Sequence, residues 1–269
     1  MVVDGATVRG VRLAGGEVLG AGEVIVSAGA YGSPALLLRS GIGPAADLSA
    51  LGIVPSLDLP GVGSGLADHP LTEIPFATSA DAPSSLLAFQ TMLTASSARA
   101  RTGDHDLQVF PMSAGAAAPL VVCLFVSVTL PVSRGRVTLR SGRPDDPPCI
   151  DPGLLSDPAD RVALAEAEEL ARALAAMPPL SDLVTRELRP DAPIAERTST
   201  YHHPVGTCRM GPAGDPGAVV DYAGRVHGMA RLRVVDASIM PSIPAANTNL
   251  PTMMVAERIA SFMASSEDA

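Results

Sequence analysis

Near the C-terminal end, His203 lies in the run YHHPVGTCRMG, residues 201–211. An imidazole titrates near neutrality, so it can take a hydroxyl proton without a large environmental shift. Pro204 removes an amide and pushes the His203 backbone toward the extended region, and Gly206 allows a narrow turn just beyond. Further on, in RLRVVDASIMPSIPAANTNLPTMMVAE, an apolar strand ends at Asp236 and Ala237, and Asn249 leads into a helix. A carboxamide supplies both a donor and an acceptor, the pair needed to orient a hydroxyl and then support the alkoxide left behind. The chemistry these groups suggest is oxidation of an alcohol. No side chain accepts a hydride, so that reaction requires a redox cofactor.

Each residue also has a plainer reading. His202 and His203 fit loop histidines bonded to backbone carbonyls. Asn247 and Asn249 fit caps of the helix that begins around Pro251 and Thr252. Asp236 fits a strand end satisfied by local amides, and His69, in Asp68-His69-Pro70, fits a structural role. Glu166, Glu168 and Glu169 read as the solvated face of a helix. The set His69, His202, His203 and Cys208 lacks metal-ligand spacing, so no metal is expected, and no GxSxG elbow supports a serine hydrolase. Residues 41–46 match GxGxxA, but they follow a helix rather than a strand and Pro44 interrupts them.

The elements that must hold these groups can be read in outline. Residues 2–28 suggest a hairpin turning at Ala14-Gly15-Gly16, then a strand at Glu23–Ser27. Met1 falls almost inside the first strand, as in a domain with more chain in front. Ser33 and Pro34 read as the cap and first residue of a helix that Gly41 ends. Residues 71–113 read as loops with a strand near Leu107–Pro111. A buried strand is expected within 119–132, followed by a hairpin return through Val137–Arg140. A long helix is expected from Asp160 to Met177.

Composition sets the outer limits. The 269 residues are 47% hydrophobic and 17% charged, which is ample for a core and excludes a disordered chain. A net charge of −9, with no basic patch, argues against nucleic acid as a partner. Three scattered cysteines without CxxC spacing read as free thiols in a reducing compartment. With no signal-peptide pattern and no apolar run long enough for a membrane span, the expected location is cytoplasmic.

Three segments together resemble the glucose–methanol–choline (GMC) family of flavin-dependent oxidoreductases. They are GAYGSPALLLRSGIGP (29–44) with LPGVGSGLADHP (59–70), SRGRVTLRSGRPDDPPCIDPGLLSDPAD (133–160), and the HHPVGTCRMG and VVDASIMPSIPAANTNLPTMMVAERIA stretches. The resemblance implies an α/β plus α+β fold. Residues 1–70 and 196–269 would form the C-terminal part of an FAD-binding domain (Rossmann-like, p-hydroxybenzoate hydroxylase-type). Residues 71–195 would form an inserted substrate domain with an antiparallel sheet. The family's N-terminal GxGxxG βαβ unit is missing from these residues, and a separate chain supplying it is one partner to consider.

The resemblance further implies FAD as cofactor, His203 as catalytic base and Asn249 as the residue holding the substrate oxygen, with hydride passing to the flavin. Asp236, Ala237, Asn247, Pro251 and Thr252 would line the cofactor. The substrate would be a small-molecule alcohol in the manner of choline and general alcohol dehydrogenases, with oxygen or a carrier as electron acceptor. A chain that only folds and binds the missing half, without catalysis, is the first alternative, and a lyase of the same family that keeps FAD structurally is the second.

Overall fold

Val24, Ile25 and Val26 alternate buried, exposed and buried, and the buried pair faces Leu232 and Val234 of a parallel partner strand. This pairing of the strand Val24–Val26 with Leu232–Val234 joins segments about 200 residues apart, and both open directly onto the candidate site. The computed structural model describes residues 1–79, 91–113 and 121–267. They divide into two compact units: 1–68, 134–153 and 203–269 in the first, 69–133 and 154–202 in the second. Residues 134–153 thus group with the first unit.

In the first unit the Val-rich N-terminus forms three antiparallel strands, Val2–Asp4, Thr7–Arg12 and Val18–Gly20. The expected turn at Ala14–Gly16 is present, closed by the Leu13 and Glu17 backbones. The core gathers Val8, Leu37, Ile42, Leu48, Val234 and Ile259 between these strands, the helix Gly29–Arg39 and the final helix Asn249–Glu267. The helix Gly29–Arg39 starts four residues before the expected Ser33 cap. Gly29, at φ 77°, makes that earlier start possible. Ser33 then lies inside the helix, fully buried, and its hydroxyl accepts from the Ala28 amide instead.

The GxGxxA match folds as a two-residue strand, Ile42–Gly43, parallel to Leu57–Asp58. The amide of Ala45, the kind of donor a pyrophosphate would use, donates to the Asp58 carboxylate at 3.0 Å. A Cβ at Gly41 would stand 2.5 Å from the Val54 carbonyl oxygen, so close packing accounts for that glycine.

The second unit is built on an antiparallel sheet ordered Val184–Glu187, Pro70–Thr78, Val121–Val128, Leu107–Ser113 and Leu93–Ala95. Thr198–Thr200 adds to the free length of Pro70–Thr78. The strand Pro70–Thr78 replaces the loop expected there. Pro75 faces Cys123 and contributes only its carbonyl, which accepts from the Leu188 amide at 2.8 Å, so the proline interrupts little. The helix Pro158–Ala175 lays Ala163, Leu164, Ala167 and Ala171 on this sheet, with the Asp157 carboxylate capping it through the Ala159 amide.

Two further expectations are corrected. Gly135–Thr138 does not return along the buried strand Val121–Val128. It pairs with Cys149–Asp151 and with Ser64–Leu66, because Gly135 lets the Asp151–Pro152 backbone come closer than any Cβ would permit. Glu168 is not solvated: it is buried and held by Arg197 at 2.9 Å and Arg172 at 3.2 Å. Among the described residues no helix is long and apolar enough to cross a membrane.

Candidate active site

The histidine loop is threaded between two backbones of the first unit. On one side Ala67 and Val205 exchange amide-to-carbonyl bonds of 3.0 and 2.9 Å, and the Gly63 amide donates to the Thr207 carbonyl at 2.8 Å. On the other side Gly206, Cys208 and Met210 donate to the carbonyls of Ala237, Ser238 and Ile239, at 3.4, 2.8 and 2.8 Å. Gly206 sits at φ 90°, and a Cβ there would stand 2.8 Å from the Gly65 carbonyl oxygen. Only glycine fits a middle segment squeezed this tightly. The half-buried His203 heads this segment, its own amide donating to Asp68 Oδ1 at 3.0 Å.

Asp236 closes the other end. Its carboxylate is buried and accepts from the Gly29 amide at 2.9 Å, the Ser33 hydroxyl at 2.5 Å and the Ser238 amide at 2.8 Å. The side chain is therefore committed to the protein. The backbone is not: the amides of Asp236 and Ala237 make no hydrogen bond within the described residues. A polar cofactor reaching this strand end would meet two free N–H groups and the small, half-exposed Ala237. The residues fit a dinucleotide cofactor through main chain, with Asp236 as the brace beneath it. Cys208, alongside, is fully buried; burial pushes its thiol far up, the Ser238 hydroxyl pulls it down and Asp236 pushes it up further, so it stays protonated.

The third part is the start of the helix Asn249–Glu267. Thr248 provides the carbonyl that accepts both the amide and the hydroxyl of Thr252, at 3.0 and 2.7 Å. Pro251 carries no amide, and those of Asn249 and Leu250 have no partner within the described residues. The side chains of Asn247 and Asn249 are exposed and make no hydrogen bond there, so neither caps the helix and neither bonds His203 directly. Ile243 packs with Val205, Ala67, Met240 and Ala237. Six extended residues reach at most about 20 Å, which bounds how far Asn249 lies from that cluster.

The structure thus joins His203 to the Asp236–Ala237 turn through shared backbone bonds, whereas Asn247, Asn249, Pro251 and Thr252 share no hydrogen bond with either within the described residues. His69 is buried and packs edge-on against Tyr201, with ring centroids 6.2 Å apart. Among the described residues no cluster of three or more His, Cys, Asp or Glu side chains could hold a metal. Read from sequence, Ser33 is only a helix cap and Asp68 only a neighbour of His69, with no part in the site. Their partners lie 203 and 135 residues away, and no local pattern announces them.

With this geometry in hand, the comparisons with known proteins fall into place. A family model described as GMC oxidoreductase matches residues 131–256, and a second of the same description matches residues 6–71. The chain belongs to the GMC oxidoreductase family. FAD is the cofactor of that family. A 5-(hydroxymethyl)furfural oxidase of Methylovorus sp. is 40% identical over 97% of the chain and 54% of its own length. An alcohol dehydrogenase [acceptor] of Pseudomonas putida is 36% identical over 90% of the chain and 51% of its length. Among solved structures, a pyridoxine 4-oxidase described as from Mesorbium loti matches with TM-score 0.86 and 34% identity. That match covers 96% of this chain and 55% of the other. The chain spans about half the length of the curated relatives it matches.

Proposed function

We propose that these residues carry the proton-handling part of an FAD-dependent oxidation of a small alcohol to a carbonyl compound. The observation that carries this reading is the backbone hydrogen bonding between the His203 loop and the Asp236–Ala237 turn, whose two amides have no partner within the described residues. It supports a titratable ring and a main-chain anion cradle on two backbone segments bonded to each other. Relatives named for alcohol and hydroxymethyl substrates support the donor class.

FAD, when bound, supplies the hydride acceptor. The chain's residues do the rest. The amides of Asp236 and Ala237 hold the cofactor's polar part, with those of Asn249 and Leu250 at the helix start. His203 takes the hydroxyl proton through its ring. The Asn249 carboxamide, without a hydrogen-bond partner within the described residues, orients the substrate oxygen and stabilises the alkoxide. Oxygen and a carrier are both retained as electron acceptors, since relatives include an oxidase and a dehydrogenase. The test is alcohol turnover by the flavin-loaded protein with an artificial acceptor. His203→Ala is expected to lower the rate by at least ~10²-fold, the range for loss of a general base. An unchanged rate overturns the assignment.

A second reading is favoured by the half-length match to the relatives. Here the residues work only together with a GxGxxG-bearing half supplied by a further stretch of polypeptide. The amide of Ala45, in the chain's own GxGxxA run, is already taken by Asp58. A purified chain showing a flavin absorbance band without any such half argues for the first reading; a band gained only on adding it argues for the second.

A further inference from the structure

In the loop that holds His203, the amides of Val205, Gly206, Cys208 and Met210 all go to backbone carbonyls. Gly63 binds Thr207 and Ala67 binds Val205 through main chain alone. At the next step outward the pattern changes. Pro204 has no amide, so the only N–H that can fix the backbone immediately at the imidazole is that of His203 itself. That amide goes to a side chain, Asp68 Oδ1, at 3.0 Å. The preceding residue, His202, turns at φ 62°, a conformation that a non-glycine side chain adopts only when its surroundings impose it.

Asp68 suits the role of an anchor. It is 2% exposed and adjoins Ala67, whose two bonds to Val205 hold it level with the loop. We propose that Asp68 is the positioning residue of His203. By fixing the plane of the 202–203 peptide it sets the direction of the His203 Cα–Cβ bond, and so where the imidazole is aimed. The role rests on the reading of His203 as the base, because positioning matters to rate only if that ring handles the proton. A charged acceptor binds a backbone amide more strongly than a carbonyl or hydroxyl does, which matches the need at residue 203, where main-chain pairing has given way to side chains.

Hydrogen exchange at the His203 amide, followed by NMR on the full chain, gives a readout that needs no cofactor. In the unsubstituted chain this amide exchanges as slowly as that of Val205; ready exchange overturns the proposal whether or not any variant folds. In Asp68→Ala it exchanges at least about tenfold faster while the Val205 amide stays protected. In the flavin-loaded protein kcat for alcohol oxidation falls at least about tenfold, with KM unchanged, as small misplacement of a reacting group does. Asp68→Asn keeps an acceptor oxygen and restores both. Unchanged exchange or unchanged kcat in Asp68→Ala sinks the proposal, as does an equal loss in the Asn and Ala variants. His203→Ala, run alongside, separates the two claims. If it leaves oxidation intact the base reading fails, while exchange at residue 203 still judges whether Asp68 holds the loop.

Discussion

The Ser33 hydroxyl donates to the Asp236 carboxylate at 2.5 Å, tying the first turns of one helix to the end of a strand 203 residues later. Both side chains are buried, and the same carboxylate also takes the Gly29 and Ser238 amides. This small node sets where the strand end stops and where the helix begins. It therefore sets where the unbonded Asp236 and Ala237 amides point.

Ser33→Ala removes the donor and also strands the Ala28 amide that the hydroxyl accepts from. A loss of about 2 kcal/mol is expected, in the range for a hydrogen bond to a charged group. Asp236→Ala orphans three donors at once and should cost more. Urea unfolding midpoints measure both; a Ser33 variant as stable as the parent would show that the node bears no weight.

Asn249 offers a second test, because stability and activity separate there. Its side chain is exposed and bonds to nothing within the described residues, so Asn249→Ala should change stability by no more than about 0.5 kcal/mol. If the carboxamide supports the alkoxide, kcat should fall by roughly 10²-fold, as for loss of one oxyanion donor. A cap role predicts the reverse pattern, with stability lost and turnover kept. Thermal melting and steady-state kinetics on one preparation decide between them.

Acid should find Asp160. Burial pushes its carboxyl up, but the Ser133 hydroxyl, the amides of Val132 and Ser133 and the Arg99 guanidinium outweigh that and hold it below the ordinary value. A carboxyl with a folded value below its unfolded one stabilises fully above the unfolded value, about pH 4, and loses that contribution as pH falls through the lower folded value. Asp160→Asn should be less stable than the parent at pH 7 by about 2 kcal/mol. The difference should shrink as the pH falls well below about 4. Unfolding midpoints at neutral and acid pH measure the gap; a gap that stays constant rules out this account.

How much of this was legible beforehand depended on how far each residue's partner lay. The turn at Ala14–Gly16, the buried strand Val121–Val128 and the long helix capped before Pro158 declare themselves through neighbours a few residues away. His203 and the Asp236 strand end stood out because proline and glycine shape their backbones locally. The strand Pro70–Thr78 stayed hidden because its two prolines argue against pairing until the partner strands are seen to use their carbonyls. Glu168 resembled a solvated glutamate because nothing near it in sequence shows Arg197 folding back upon it. Ser33 looked like a cap for the same reason. Asp68 was visible in a motif, yet its bond to residue 203 belongs to tertiary structure alone.

The pairing of residues 63–68 with 203–208 has a consequence for how the chain acquires its site. The bonds from residues 63–67 to 205–207 join segments separated by well over a hundred residues, and the other flank, Ala237–Ile239, follows about 30 residues later. Such distant closures come late and slowly in folding. A nascent chain that has reached residue 200 lacks both the histidine ribbon and the 237–239 backbone that flanks it. Competence for chemistry should therefore switch on abruptly, once residues 237–239 have been made, rather than accumulate with length.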